Sequence, residues 1–360
     1  MKFPLRGRRA VVPALIVLAL PAVATPAAAR GSAMPRITVH GSRLYAGARP
    51  FRPWGMNWGV ADREPVVDYF DAPTAGRLAT LRVQLAAAQA LGANSMRVYL
   101  QLGQVMATPT RPRPRTLLAL QRLLAVAQSD RVYLDITGDL VWRPADVPAW
   151  YGRLPVWARW RVQARFWEAV AGAASDSPAV LCYELTSEPI VAPTPGYYHG
   201  ELGGWWFVQS IATASRARGA GLARAWTRQL AGAVRSRDNR PVSIGLLPDT
   251  AGPFAPANVA GLLDLLVVHE YPATGQAGSA IGVVRAFAAY RKPVLVGETA
   301  MMFDDAATQT GFLTGVARYV NGVFGFFDGR APDDVAPTTI GDALYAQNLS
   351  EFVAVRRALV

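Results

Sequence analysis

The feature that most constrains this chain is a rhythm. Apolar, β-branched runs of strand length recur along it, separated by longer stretches with helical spacing. Eight runs stand out, at 52–58, 93–99, 131–137, 179–187, 241–245, 265–269, 293–297 and 322–327. Helix-like segments follow at 74–91, 115–129, 155–174, 205–237, 256–263, 279–290, 306–319 and 344–357. The helix over 205–237 is expected to break near Gly219 and Gly221. Such alternation builds βα units around a parallel sheet. Eight units close into a (β/α)8 barrel, a fold that typically needs about 250 residues.

A small hairpin over 37–46, turned at Gly41-Ser42, is expected before the first barrel strand. The competing architecture, an open doubly wound sheet, would carry a glycine-rich phosphate turn after its first strand. Gly55-Met56-Asn57-Trp58-Gly59 is not such a turn. No linker divides the chain, so residues 30–360 read as one domain. The segments 139–154 and 190–204 read as insertions on the barrel's active face.

Residues 1–29 have the pattern of a signal peptide. Lys2, Arg6, Arg8 and Arg9 precede an apolar stretch over 10–24, and Ala27-Ala28-Ala29 offers a cleavage site. That stretch is shorter than the roughly 20 residues of a membrane span. A secreted or periplasmic protein without membrane insertion is therefore expected. The formal net charge is +12, and loss of residues 1–29 would leave +8. The arginines are scattered rather than gathered into a basic stripe with interleaved aromatics, which argues against nucleic acid as a partner. Arg111-Pro112-Arg113-Pro114-Arg115 reads as a loop before a helix. Hydrophobic residues make up 51% of the chain and charged ones 17%, enough for a large core. Cys182 is the only cysteine, which excludes an internal disulfide and a cysteine-based metal site. Its place in an apolar run reads as a small buried hydrophobe. His40, His199 and His269 lie far apart with no paired spacing, so no metal and no cofactor is expected.

Two apolar runs end on glutamates, Glu188 and Glu298. A carboxylate is costly to desolvate, so its repeated placement at the end of a buried strand points to use. Two carboxyl groups in one cleft are what glycosidic cleavage requires. In a barrel, active groups sit at the C-terminal ends of the strands. Those ends carry Asn57 and Trp58, Arg97 and Tyr99, Asp135, Thr137 and Asp139, Ser187 and Glu188, His269 and Tyr271, Glu298, and Phe326, Phe327 and Asp328.

Taken in order, Pro53-Trp54-Gly55-Met56-Asn57, Arg97, Glu188-Pro189, His269-Glu270-Tyr271 and Gly297-Glu298 resemble the retaining glycoside hydrolases of clan A. The closest likeness is to glycoside hydrolase family 5, the cellulase and mannanase family, and it runs roughly from residue 37 to residue 327. The resemblance implies a retaining β-glycosidase acting on a β-glucan or β-mannan type of glycan. Glu298 would be the nucleophile and Glu188 the acid/base. Arg97 and Tyr271 would bond Glu298, and His269 would contact the sugar or the acid/base. Glu184, on the same strand face as Glu188, reads as a buried network partner. Substrate-binding residues would be Trp58, Arg97, Ser187, His269, Tyr271 and Phe326, with Trp205 or Trp206 as a subsite wall. Ser187 stands where the family usually has asparagine, Thr137 or Gly138 where it often has histidine, and Phe326 or Phe327 where it usually has tryptophan. Trp142 and Trp150 fall in the loop after the third strand, whereas Trp157, Trp160 and Trp167 follow a helical spacing and read as packing. Ser187 keeps a non-catalytic carbohydrate-binding barrel in play beside the hydrolase, and a cell-wall transglycosidase is a further alternative. A monomer is expected.

Overall fold

In the computed structural model, the described residues are 33–59, 64–139, 147–194 and 209–359. All of them but residue 33 belong to one compact unit, Met34–Val360. The expected signal segment lies outside the described residues.

Eight parallel strands close into a barrel. They are β1 (Trp54–Trp58), β2 (Ser95–Gln101), β3 (Tyr133–Asp139), β4 (Val180–Ser187), β5 (Val242–Leu246), β6 (Leu266–His269), β7 (Val294–Glu298) and β8 (Gly322–Phe327). Each pairs with its neighbours in sequence, and β8 returns to β1. Every residue of β2, β4 and β5 is buried. That explains why these strands read as continuous apolar runs rather than as alternation: one face fills the barrel and the other meets the helices.

Helices α1 (Ala75–Ala90), α2 (Pro114–Ser129), α3 (Val156–Ala174), α4 (Arg216–Arg235), α5 (Pro256–Val259), α6 (Ala277–Ala288), α7 (Ala306–Val316) and α8 (Ile340–Leu359) follow the strands in turn. Helix α1 begins where the Thr74 hydroxyl accepts from the Arg77 amide at 3.2 Å, and α7 where Asp305 accepts from Thr308 at 2.7 Å. Such caps satisfy amides that have no partner within the helix. Helix α2 starts on Pro114, whose missing N–H costs nothing in a first turn. It buries Thr116, Ala119, Leu120, Leu123, Leu124 and Ala127, a stripe with steps of three and four. Helix α3 buries Trp160 and Trp167, whose indole N–H groups reach Ile211 and Leu185 carbonyls at 2.9 and 3.2 Å. Trp157 on the same helix is exposed.

The expected hairpin is the start of a three-stranded antiparallel sheet, Ile37–His40, Arg43–Ala46 and Arg49–Phe51. It packs at the N-terminal end of the barrel. Ile37 and Leu44 enter the core, Phe51 meets the Tyr133 ring at 4.8 Å, and Tyr133 donates to Pro35 at 2.7 Å.

Three expectations need correction. Helix α4 begins at Arg216 rather than 205, because Gln209–Thr213 forms a strand parallel to Pro189–Ala192. That helix runs unbroken through Gly219 and Gly221. At Gly219 a side chain would meet the Pro253 ring at 2.8 Å, so the glycine serves close packing, not a kink. Arg111–Pro112, read as loop, forms a short hairpin with Met106–Thr108. Cys182 is fully buried, and burial pushes its thiol well above the usual value. Among the described residues, no helix is long and apolar enough to cross a membrane.

Candidate active site

The barrel register sets the site. Strand pairing aligns Asn57 with Arg97 and Arg97 with Asp135, so three inward-facing polar residues share one tier. Arg97 is completely buried. A buried guanidinium demands acceptors on all its faces, and it finds them. Its Nε donates to Thr137 at 3.0 Å and to Glu184 at 3.1 Å. Nη1 donates to Asn57 Oδ1 at 2.9 Å, to the Tyr99 hydroxyl at 2.7 Å and to Glu298 Oε1, while Nη2 donates to Glu184. Tyr99 also donates to Asn57 Oδ1 at 2.8 Å, and the Asn57 amide donates to the Gly297 and Gly325 carbonyls, each at 2.9 Å. Asn57 thereby ties β1 to β7 and β8 just below the glutamate.

Glu298 ends β7 with three partners. Arg97 binds Oε1, the Tyr271 hydroxyl donates to Oε2 at 2.7 Å, and His269 Nδ1 lies 3.4 Å from Oε1. Burial alone would raise its pKa, but the positive charge of His269 and Arg97 and the bonds from Arg97 and Tyr271 pull it below the usual carboxylate value.

Glu188 follows β4 directly. Its φ is +46°, in the region that favours glycine, at a cost of roughly 1–3 kcal/mol. Bonds on both sides hold that conformation: its amide donates to Gly245 at 2.7 Å, and Gln209 donates to its carbonyl at 3.0 Å. The side chain meets His269 Nδ1 at 3.0 Å. Burial raises its pKa above the usual value, and the negative charge of Glu298 adds to this, against the opposing pull of His269. His269 is raised too: burial disfavours its cation, but the two glutamates outweigh that.

One ligating atom each from Glu188, His269 and Glu298 lies within 4.8 Å of the others. The two carboxyl groups therefore face one another across a single gap. Beneath them, burial, reinforced by Glu184, pushes Asp135 up to about 8, and Asp135 meets the Cys182 thiol.

The strand β5 must leave room for this cluster. A Cβ on Gly245 would stand 2.7 Å from both Glu184 Oε1 and His269 Nε2. Gly245→Ala is expected to cost about 1–3 kcal/mol of stability by overpacking, read as a lower denaturant midpoint. An unchanged midpoint would mean that the barrel interior has slack there.

The structure thus brings together Arg97, Glu188, His269, Tyr271 and Glu298. Phe326 stands beside them, its ring stacked on Tyr271 at 6.5 Å and 25°. Ser187 is the buried last residue of β4, aligned with Gly245. Trp58 is a correction. It is 1% exposed, and its indole donates to Gln84 of α1 at 3.1 Å. Successive strand residues point to opposite faces, so with Asn57 turned into the barrel Trp58 turns outward to the helix layer. Trp205, Trp206 and Trp142 lie outside the described residues. Trp150 packs edge-on against Tyr151 at 6.0 Å. Sequence reasoning placed Asn57 and Tyr99 at strand ends without giving them a part in the site. The signal was parity: Tyr99 is two residues beyond Arg97, hence on the same face.

No family model matches the chain, and no curated protein sequence is similar to it. Solved structures do share its architecture. An exo-beta-1,4-mannosidase from Opitutaceae bacterium strain TAV5 superposes with a TM-score of 0.63 at 18% identity, over 89% of this chain and 62% of that one. The likeness is one of fold. A variant of a GH5_18 protein from Streptomyces cattleya, in complex with Manb1-4GlcNAc, gives 0.62 at 18% identity, over 85% of this chain and 81% of that one. The beta-glucuronidase of Ruminococcus gnavus gives 0.51 at 13% identity, over 81% of this chain and 45% of that one. The chain thus spans less than two thirds of the mannosidase and of the glucuronidase. These structural neighbours are glycoside hydrolases built on the same barrel.

Proposed function

We propose that the protein is a retaining β-glycosidase that acts by double displacement. The observation that carries this reading is the pair Glu188 and Glu298, within 4.8 Å of each other and pushed in opposite directions. Retaining enzymes hold their carboxyl groups about 5–5.5 Å apart, whereas inverting ones need about 6.5–9.5 Å to fit a water. Two titratable groups driven apart in pKa divide the labour of acid and base. Glu298, kept ionised by Arg97 and Tyr271, attacks the anomeric carbon. Glu188, kept protonated, gives its proton to the departing oxygen. The covalent ester removes the charge of Glu298, so Glu188 becomes more acidic and can next deprotonate water.

The glycan is proposed to be β-glucan or β-mannan type. The mannosidase likeness and the ordered strand-end residues support that class. Export is proposed from the basic and apolar start of the chain, residues 1–29.

A panel of aryl β-glycosides tests the reading, with the anomer of the first-formed product read by NMR. Retention is expected; an inverted product, or no turnover on the panel, would sink it. The pH profile should be bell-shaped. Its acid limb falls below the ordinary carboxylate range, where Glu298 takes up a proton. Its alkaline limb lies above that range, where Glu188 loses its proton, with His269 titrating beside it as a coupled pair. Glu188→Ala should abolish the alkaline limb on a substrate with a good leaving group. On poor leaving groups it should cost about 10²–10⁴-fold in turnover. An alkaline limb unmoved by this substitution would assign it to another residue.

A further inference from the structure

The ladder between β7 and β8 stops short of the site. Its register pairs Leu295 with Gly322 and Val296 with Val323, and the next residues of β7 are Gly297 and Glu298. On the other flank β6 holds β7 to its end. His269 pairs with Glu298 there, and the Glu270 amide donates to the Glu298 carbonyl at 3.0 Å. Toward β8 a side chain bridges the two strands beyond their register. Both amide hydrogens of Asn57 are used for this. One goes to the Gly297 carbonyl and one to that of Gly325, the residues directly before Glu298 and Phe326.

Asn57 is fully buried, and every hydrogen-bonding position of its amide is filled. A carboxamide offers two donor hydrogens and an oxygen with two lone pairs. The oxygen takes Arg97 Nη1 at 2.9 Å and the Tyr99 hydroxyl at 2.8 Å. These partners fix which way the amide faces. Turned over, it would set its hydrogens against the guanidinium and its oxygen against two carbonyls. Arg97 in turn grips the head of Glu298. One carboxamide therefore governs the nucleophile twice, its backbone through Gly297 and its carboxylate through Arg97. The third link, Gly325, sets the strand that carries Phe326, whose ring stacks on Tyr271, the other donor to Glu298.

We propose that Asn57 is a positioning residue for the attack step, holding Glu298 in line with the anomeric carbon, and that Tyr99 keeps Asn57 in that pose. The inference rests on the glycosidase reading. Its physical ground is that attack tolerates little error: a shift of about 1 Å can cost about 10²-fold in rate. Asn57 acts through Glu298 and need not touch the sugar.

Kinetics on an aryl β-glycoside test it, with the acid limb of the pH profile read beside kcat. Asn57→Ala is expected to lower kcat about 10²-fold, with KM changed less than about threefold. The acid limb should move to higher pH. Burial raises the Glu298 carboxyl, and His269, Arg97 and Tyr271 hold it below the usual value, with Glu188 across the gap. A carboxylate that drifts from those three takes up its proton more readily. Tyr99→Phe, a change of one oxygen, should act the same way on a smaller scale, about tenfold in kcat. It carries the test if Asn57→Ala does not fold. In the double variant the Tyr99 change should cost nothing further, because it acts through Asn57. Leu44→Ala, in the sheet at the base of the barrel, should lower the melting temperature and leave kcat and the acid limb as they are. Variants at Asn57 and Tyr99 that melt lower but keep the wild-type kcat and acid limb would make the amide a strut alone. That result would overturn the inference and leave the glycosidase reading intact. A Tyr99→Phe loss undiminished in the double variant would overturn the part given to Tyr99. Wild-type protein inert toward the aryl β-glycoside panel would overturn the glycosidase reading and this inference with it.

Discussion

Glu298→Gln is expected to lower turnover of an aryl β-glycoside by at least about four orders of magnitude, the scale on which loss of a covalent nucleophile acts. The substitution keeps the shape of the side chain. Arg97 can still donate to the amide oxygen, and the amide NH2 can donate to the Tyr271 hydroxyl, which accepts as well as donates, so folding should be little changed and the loss should appear in kcat. What disappears is the charge that attacks the sugar. Glu298→Ala opens a small hole at the same point, and a small anion such as azide can enter it. Added azide should then restore part of the turnover and give a glycosyl azide of inverted configuration. Azide rescue of a Glu188→Ala variant should instead give a retained product. Full activity in Glu298→Gln would remove the nucleophile from the scheme, and identical azide products from the two variants would remove the division of roles.

The second large effect is expected at Arg97. Its guanidinium stands between Glu184 and Glu298; Arg97 and Glu184 are fully buried and Glu298 largely so. Removing one partner of a buried ion pair commonly costs about 3–5 kcal/mol, because the remaining charge is left without compensation. Arg97→Met should therefore lower the melting temperature by roughly 5–15 °C and abolish activity. Arg97→Lys should rescue little. An ammonium cannot span Asn57, Glu184, Thr137 and Glu298 at once. The double variant Arg97→Met with Glu184→Leu separates the two roles. It should regain part of the stability, since the orphaned carboxylate is gone, yet none of the activity, since Glu298 still lacks its cation. Wild-type melting for Arg97→Met alone would show that the cluster is held by something else.

Much of this architecture was legible because the strands are buried on both faces. An apolar run bounded by turns needs no partner to be recognised, and β4 and β7 each lead directly to a glutamate. The strand Gln209–Thr213 was not legible. Its stabilisation comes from pairing with Pro189–Ala192, and the pattern of 205–213 by itself fits the start of a helix equally well. Trp58 misled for a related reason. Its place in a strand-end motif suggested a binding role, while the two-residue alternation from Asn57 sends it to the helix layer. Glu184 was read as a network partner from its spacing to Glu188, but the bonds that make it the anchor of Arg97 depend on barrel closure. The tight fit around Gly245 depends on it too. The left-handed turn at Glu188 has no sequence signature, since glutamate is not a residue that seeks that conformation.

The three-stranded sheet over Ile37–Phe51 covers the opposite end of the barrel from the glutamates. The barrel unit, residues 34–360, is in effect a cup with a separately made base. Changes to that base, such as enlarging a Leu44 or Phe51 contact, should move how long the protein survives heating without touching what it cleaves. Anyone hardening this protein for use has a workplace set well apart from its chemistry.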